Sequence, residues 1–230
     1  MRLFVLAILV SFSSFSFGQG YYQRNEGYQF ISLSAGLGSN HWRAMATDYS
    51  LWDPRGNKIV DDESSSLTTQ TYSDLYEIEI LFPVEQWRIG GGLNFELFTL
   101  LNVELHTEQG SQQHGFPEVF SANKLFVHAE RPILQSRNEN FEWNAGVKAG
   151  KYVLSMVNST SLFGENRFGA TWFGEVHTGI QFRVIDYLYA CAYGFTDYKY
   201  FDNTKLESPQ DIRYHIMTYG AAVSVRYAFR

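Results

Sequence analysis

Two pairs of side chains in this sequence have the types that orient a general base: Glu175 with His177, and His128 with Glu130. In each, an imidazole and a carboxylate are two residues apart, the spacing that places both on one face of an extended strand. Such a pair could take a proton from a bound water or hydroxyl. A second group, His106, Glu108, His114 and Glu118, offers metal-ligand residue types within one short stretch, but in a spacing that matches no tight site. The run Asp61, Asp62 and Glu63 could hold Ca2+ or bridge to lipopolysaccharide through divalent ions. It lacks the regular acidic spacing of a calcium loop and reads as a solvated charge run. No metal or other cofactor is expected.

The elements that must position these residues are strands. Every second residue from Met217 is Tyr219, Ala221, Val223, Val225, Tyr227 and Phe229, while Thr218, Gly220, Ala222, Ser224, Arg226 and Ala228 alternate with them. One face is apolar and ends in aromatics; the other is small and polar. From Tyr219 to Tyr227 the rise is roughly 26 Å at 3.3 Å per residue. A tilt of about 40° brings this close to the ~25 Å lipid-facing band of a transmembrane barrel, with tyrosines at its girdles.

Seven further alternating segments precede this one: 28–38, 75–82, one from Trp87, 122–131, one from Phe141, one over 170–184, and 187–196. The seventh is ambiguous, because tyrosines fill one face and Leu188, Ala190 and Ala192 the other. The third keeps alternating through Leu97, Leu101, Val103 and Leu105, beyond the ~9–11 residues of a spanning strand. It requires either a bulge or a projection past the membrane. Connections after the even segments are short (83–85, 135–140, 185–186). Those after the odd segments are long (39–73, 106–121, 158–168, 197–212). This is the alternation of short periplasmic turns and long extracellular loops. The expected fold is all-β, an antiparallel eight-stranded transmembrane up-and-down barrel.

A soluble barrel with its apolar face inward would show the same period. Here the bulky apolar face opposes one crowded with Gly, Ser and Ala, which would leave few charges to meet water. Aromatics make up 17% of residues and charged residues only 18%. The lipid-outside reading therefore holds. The inward face collects Glu77, Glu79, Glu96, Glu130, Glu142 and Glu175 with Arg88, Lys124, Lys148, Arg183 and Arg226, and with His128 and His177 nearby. An eight-stranded lumen is just wide enough for side chains to fill, and buried charges persist only when paired. The expectation is a plugged lumen in which both base-like pairs belong to the charge network, and no catalytic residue is assigned. Large aromatics in the first long loop, Trp42, Tyr49 and Trp52, are expected to fold onto the barrel rim or to contact a partner.

Met1 and Arg2, the apolar residues 3–10 and the small residues Ser16 and Gly18 compose a signal peptide with cleavage before Gln19. The apolar run is too short for a spanning helix, and no cysteine is placed for a lipid anchor. The expected division is a leader, 1–18, and one barrel domain, 19–230, exported by the Sec route. Cys191 is the single cysteine, so no internal disulfide forms, and it reads as a small packing residue. The net charge of -6 and the absence of a basic tract argue against nucleic acid.

The ending Val223-x-Val225-x-Tyr227-x-Phe229 resembles the C-terminal assembly signal of bacterial outer-membrane barrels, with the aromatic penultimate because Arg230 follows. The chain as a whole resembles the small eight-stranded outer-membrane proteins, of the type represented by the OmpX family and the barrel domain of OmpA. Its aromatic-rich strands and the Gln after the cleavage point are in the Bacteroidota style. The resemblance implies a Gram-negative outer-membrane location and contact with lipid and lipopolysaccharide. It also implies insertion by the barrel-assembly machinery, and a non-enzymatic surface or scaffold role or membership of an envelope complex. No peptidoglycan-binding domain is expected. The alternative is a lipid-modifying enzyme at the rim. No serine here stands in a nucleophile-elbow context, and the His-x-Ser motif of lipid A deacylases is missing.

Overall fold

The computed structural model describes residues 28–52, 58–107, 110–136, 140–156, 167–202 and 211–229, without some side chains near the long-hairpin end. The leader 1–18, its boundary at residue 19, and residues 53–57 lie outside the described residues. Eight strands follow one another: β1 (Gln29–Trp52), β2 (Lys58–Val84), β3 (Trp87–Thr107), β4 (Gly110–Gln135), β5 (Phe141–Met156), β6 (Arg167–Ile185), β7 (Leu188–Asp202) and β8 (Asp211–Phe229). Each pairs antiparallel with its neighbours, and β1 pairs with β8 from Gln29↔Phe229 to Thr47↔Asp211, which closes the barrel. Closure leaves no strand edge, so the ladder satisfies the backbone without water. In a bilayer only a helix or a closed barrel can do this.

Alternation sorts the side chains. On β8, Tyr219, Val223, Val225 and Tyr227 are exposed, while Thr218, Ala222, Ser224, Arg226 and Ala228 are buried. The same outward set continues around the wall: Leu33 and Leu37 on β1, Ile78 and Ile80 on β2, Leu93 on β3, Leu125 and Val127 on β4, Trp172 and Phe182 on β6. A wall of exposed Leu, Ile, Val and aromatics around a charged interior reverses the arrangement of a water-soluble protein, and only a lipid surround makes it favourable. Phe229 is half-buried at the end of its strand.

At one end the connections are tight. Two-residue turns join β2 to β3 and β6 to β7, with Glu85 (φ 55°) and Tyr187 (φ 70°) in the left-handed region that such turns need. Between β4 and β5 the Ser136 N–H donates to the Phe141 carbonyl at 2.9 Å. Pro83, expected in a turn, instead lies within β2 opposite Arg88.

The other end departs from expectation. Residues 39–73, read as a loop, are the ends of two long strands, with only 53–57 between them. The described residues of 106–121 likewise belong to paired strands, Thr107 opposite Gly110. β7 runs on to Asp202 rather than ending near Thr196. Thr, Ser and Tyr are abundant in these stretches, and they favour strands where cross-strand partners satisfy the backbone. Polarity in these stretches does not mark a loss of pairing. β3 resolves both ways: it projects as part of a long hairpin, and its register with β4 shifts between Leu100 and Asn102.

The lipid-facing band predicts a depth-dependent response. Val223→Arg, midway along the outer face of β8, should lower stability by about 2–4 kcal/mol, while Val223→Leu should be near neutral. Urea unfolding in lipid vesicles measures the difference.

Candidate functional site: the charged lumen

Three layers of ionised side chains fill the barrel. Next to the short turns, Arg88 on β3 donates to Glu130 on β4 (3.0 Å) and to Glu142 on β5 (2.5 Å). Arg226 on β8 reaches across to Glu130 at 2.6 and 3.0 Å, to Glu79 on β2 at 3.3 Å and to the Gln181 carbonyl oxygen at 3.1 Å. Gln135 and Gln181 complete the hydrogen bonding of Glu142. Towards the hairpins, Lys124 on β4 binds Asp197 (2.8 Å) and Glu96 (2.9 Å). Lys199 on β7 binds the same two carboxylates, at 3.0 Å each. Lys199 also donates to Thr218, which donates to Asn40 at 2.6 Å.

The middle layer is different because it contains both histidines. Lys148 on β5 donates to Glu77 on β2 at 2.5 Å and lies 3.6 Å from Glu175. Its ammonium also rests over the Phe126 and Tyr193 rings. Asn94 donates to Glu77 at 3.2 Å. His128 Nδ1 donates to Glu79 at 2.6 Å, and its Nε2 meets His177 Nε2 at 3.1 Å. On the far side of that pair, His177 Nδ1 faces Glu175 Oε1 at 3.5 Å. Carboxylate, imidazole, imidazole and carboxylate thus lie in sequence across the lumen, from β2 to β4 to β6.

Apolar groups close both ends of this interior. The floor is Phe30, Leu81 and Ala228, with Tyr28 and Tyr189 against them. The lid is Trp42 with Phe98 (ring centroids 4.9 Å) and Phe120 (5.9 Å), the two phenyl rings stacked at 5.6 Å. The Trp42 indole N–H donates to Thr71 at 3.2 Å. Beyond the lid, His41, Arg43, Thr68, Gln70, Glu104 and Gln113 line an open recess of about 530 Å³.

The structure brings together Glu77, Glu79, Arg88, Glu96, Lys124, His128, Glu130, Glu142, Lys148, Glu175, His177 and Arg226, all buried. Arg183 stays half-exposed at the short-turn end, over the Tyr189 ring. Sequence reasoning missed Asp197 and Lys199, both within 2% of complete burial, because it ended the seventh strand too early. Carrying the period onward from Cys191, Tyr193 and Phe195 would have found them. Cys191 is buried, with its thiol directed at Gln181. Trp42 lies on a strand rather than in a loop, and of its two expected placements it takes the one over the barrel, at the centre of the lid. Tyr49 and Trp52 pair on β1 with Asp62 and Lys58, and their side chains are outside the described set, as are those of Asp61, Asp62 and Glu63. The register also spreads the His106 group along its hairpin. His106 opposes Ser111, whereas His114 opposes Val103 and Glu118 opposes Leu100. Seven residues separate Ser111 from Glu118, roughly 23 Å of strand. His106 binds Thr68 and Ser111 instead; Glu108 is outside the described residues.

No family model matches this sequence, and no curated protein does. Among solved structures, the outer membrane protein OprG from Pseudomonas aeruginosa superposes with a TM-score of 0.51 at 8% identity, over 87% of this chain and 96% of that one. Neisserial surface protein A gives a TM-score of 0.49 at 12% identity, over 85% and 97%. The outer membrane protease OmpT from Escherichia coli gives 0.42 at 10% identity, over 91% and 99%. At such identity the likeness to OprG establishes a shared barrel fold and carries nothing about activity.

The layered pairing predicts a large effect of removing one partner. Lys124→Met leaves Glu96 and Asp197 to share Lys199, and should cost about 3–5 kcal/mol of barrel stability. Lys151→Met, on the exposed face over Trp172, should cost less than about 1 kcal/mol. Denaturant midpoints of the refolded variants in detergent compare the two.

Proposed function

We propose that this chain is a Gram-negative outer-membrane barrel that acts through its long hairpins and outer wall, as a surface protein or accessory subunit of an envelope complex, with a lumen that conducts little. The observation that carries this reading is the filled interior. Ion pairs span the lumen in three layers, and a Trp–Phe–Phe lid and an apolar floor close it. Polar activity is therefore displaced to the ends. Among the described residues the material to offer lies at one end: the β1–β2 and β3–β4 hairpins, built on strands of 24, 27, 21 and 26 residues. A spanning strand needs about 9–11, so more than half of these strands project beyond the lipid band.

The outer-membrane assignment rests on the apolar wall, the closed ladder and the C-terminal signal Tyr219, Val223, Val225, Tyr227 and Phe229. Lipid and lipopolysaccharide are then its lateral contacts, and the barrel-assembly machinery its route of insertion. The rim-enzyme alternative draws no support from the geometry. Both candidate base pairs, Glu175 with His177 and His128 with Glu130, lie beneath the lid, where a lipid substrate approaching the rim would not meet them.

Two measurements test the reading. Purified protein in a planar bilayer should give no steady, large single-channel steps, and their appearance would contradict a plugged lumen. Replacing residues 44–66 by a tight turn should leave a folded, heat-modifiable barrel. It should also abolish the co-purification of any stoichiometric envelope partner seen with the full chain through a tag in a short turn. An unchanged partner set would remove the first hairpin from the functional surface.

A further inference from the structure

The three layers of the lumen are not equally neutral. Lys124 and Lys199 balance Glu96 and Asp197, and Arg88 balances Glu142. What remains among the described buried residues is Glu130 with Arg226, which balance in the short-turn layer, and Glu77, Glu79 and Glu175 against Lys148, a formal surplus of two negative charges in the layer that holds the two histidines. The Nε2 atoms are 3.1 Å apart, so one donates and the other accepts. Two imidazolium ions would point N–H groups at each other.

We propose that His128, His177 and Glu130 form a binding site for one divalent transition-metal ion of the Zn2+ type, buried in the barrel lumen. The Nε2 atoms of the two histidines already have the separation of two ligands on one ion. At metal–nitrogen distances of about 2.0–2.1 Å, a 3.1 Å edge subtends roughly 100°, near the tetrahedral value. Glu130 Oε2 is 3.9 Å from His128 Nε2, and the three ligand atoms lie within 4.8 Å of one another. The carboxylate has to close by roughly 1 Å to reach bonding distance.

The surroundings have the form that metal-bound histidines need. Each imidazole turns its Nδ1 to a carboxylate, Glu79 for His128 and Glu175 for His177. At His128 the 2.6 Å hydrogen bond to Glu79 favours the tautomer with Nε2 free to bind and strengthens the ring as a ligand; Glu175, 3.5 Å from His177 Nδ1, has to close by about half an ångström to do the same. A cavity of about 20 Å³ adjoins the three ligands, bordered also by Asn144 and Tyr193. It holds one water-sized group, enough for a fourth ligand. Gly146 lies between Glu130 and His177 in the ladder, and a Cβ there would stand 2.5 Å from His177 Nε2. Glycine at this position keeps the ligand atom accessible. Binding displaces the proton shared by the two Nε2 atoms, and the ion takes up the surplus negative charge. The site is closed, so the ion enters as the barrel forms, and its role is structural. The inference does not depend on what the hairpins contact.

The test uses full-length protein without a histidine tag, unfolded in chelator and refolded into detergent with one equivalent of Zn2+, then desalted. Wild type should retain about one zinc per folded chain by elemental analysis, and refolding with Co2+ should give the visible absorption of a low-symmetry nitrogen–oxygen site. His128→Ala and His177→Gln should each retain less than a tenth as much, while His106→Ala and His215→Ala should retain as much as wild type. If one lumen variant does not fold, the other decides, together with the Co2+ spectrum of wild type. Folded wild type that retains under a tenth of an equivalent overturns the site. So does a folded lumen variant that retains as much as wild type.

Discussion

Charge neutralisation inside a space one side chain deep is the constraint on which the rest of this structure depends. An eight-stranded barrel surrounded by lipid has no water-filled interior to dissolve stray charges, so every inward acid has to reach a base on another strand. The long side chains make this feasible. Arg226 spans from β8 to partners on β2, β4 and β6, and Lys199 on β7 meets Glu96 on β3 across the lumen. These contacts tie together strands that share no ladder, which the backbone closure alone does not do.

Buried ion pairs contribute little net stability when compared with a well-packed apolar core, because desolvation offsets much of the attraction. Their value here is in specifying register. A strand that slips by one residue moves its whole inward set to the lipid face. On β2 that would expel Glu77 and Glu79 into hydrocarbon, and on β8 Arg226, at a cost of up to a few kcal/mol for each charge. An apolar lumen would carry no such penalty, and inside and outside would be hard to tell apart. Small residues complete the fit: a Cβ on Gly220 would stand 2.2 Å from the Phe195 ring, so that ring can occupy the lumen only because β8 has glycine there.

The same contrast explains what could be read from the sequence. β8 and β6 separate cleanly into apolar and polar faces, and the inward charges on β2 to β6 follow from that alternation. β7 does not separate: Tyr189 and Tyr193 point inward beside Cys191, and Ala190 and Ala192 outward, so bulk and polarity give no sign of the face. Asp197 and Lys199 were hidden by that ambiguity. The long hairpins were hidden for another reason. Beyond the lipid band the outward face no longer has to be apolar, the period vanishes, and a paired strand such as 64–71 has the composition of a loop. Trp42 belongs to that region by sequence and to the lumen by geometry, since only the cross-barrel packing with Phe98 and Phe120 shows where it points. Nothing local in the sequence could have joined His128 to His177. Their contact needs β4 and β6 to face each other across a barrel of known register.

The division of the chain into a sealed lumen and projecting hairpins also separates two kinds of stability. Side chains in the lumen are interlocked across nearly every strand, so opening any part of it breaks several ion pairs at once. The hairpins project beyond the lid, and their backbone pairs lie outside the interlocked layers. Local opening should therefore be confined to them, while the barrel unfolds only as a whole. A barrel built in this way can vary what it displays without disturbing how it folds, because no charge in the three layers is supplied by a hairpin residue. The lid marks the boundary: Trp42 and Ile216 are the last buried positions on β1 and β8 among the described side chains, and the open recess begins above them.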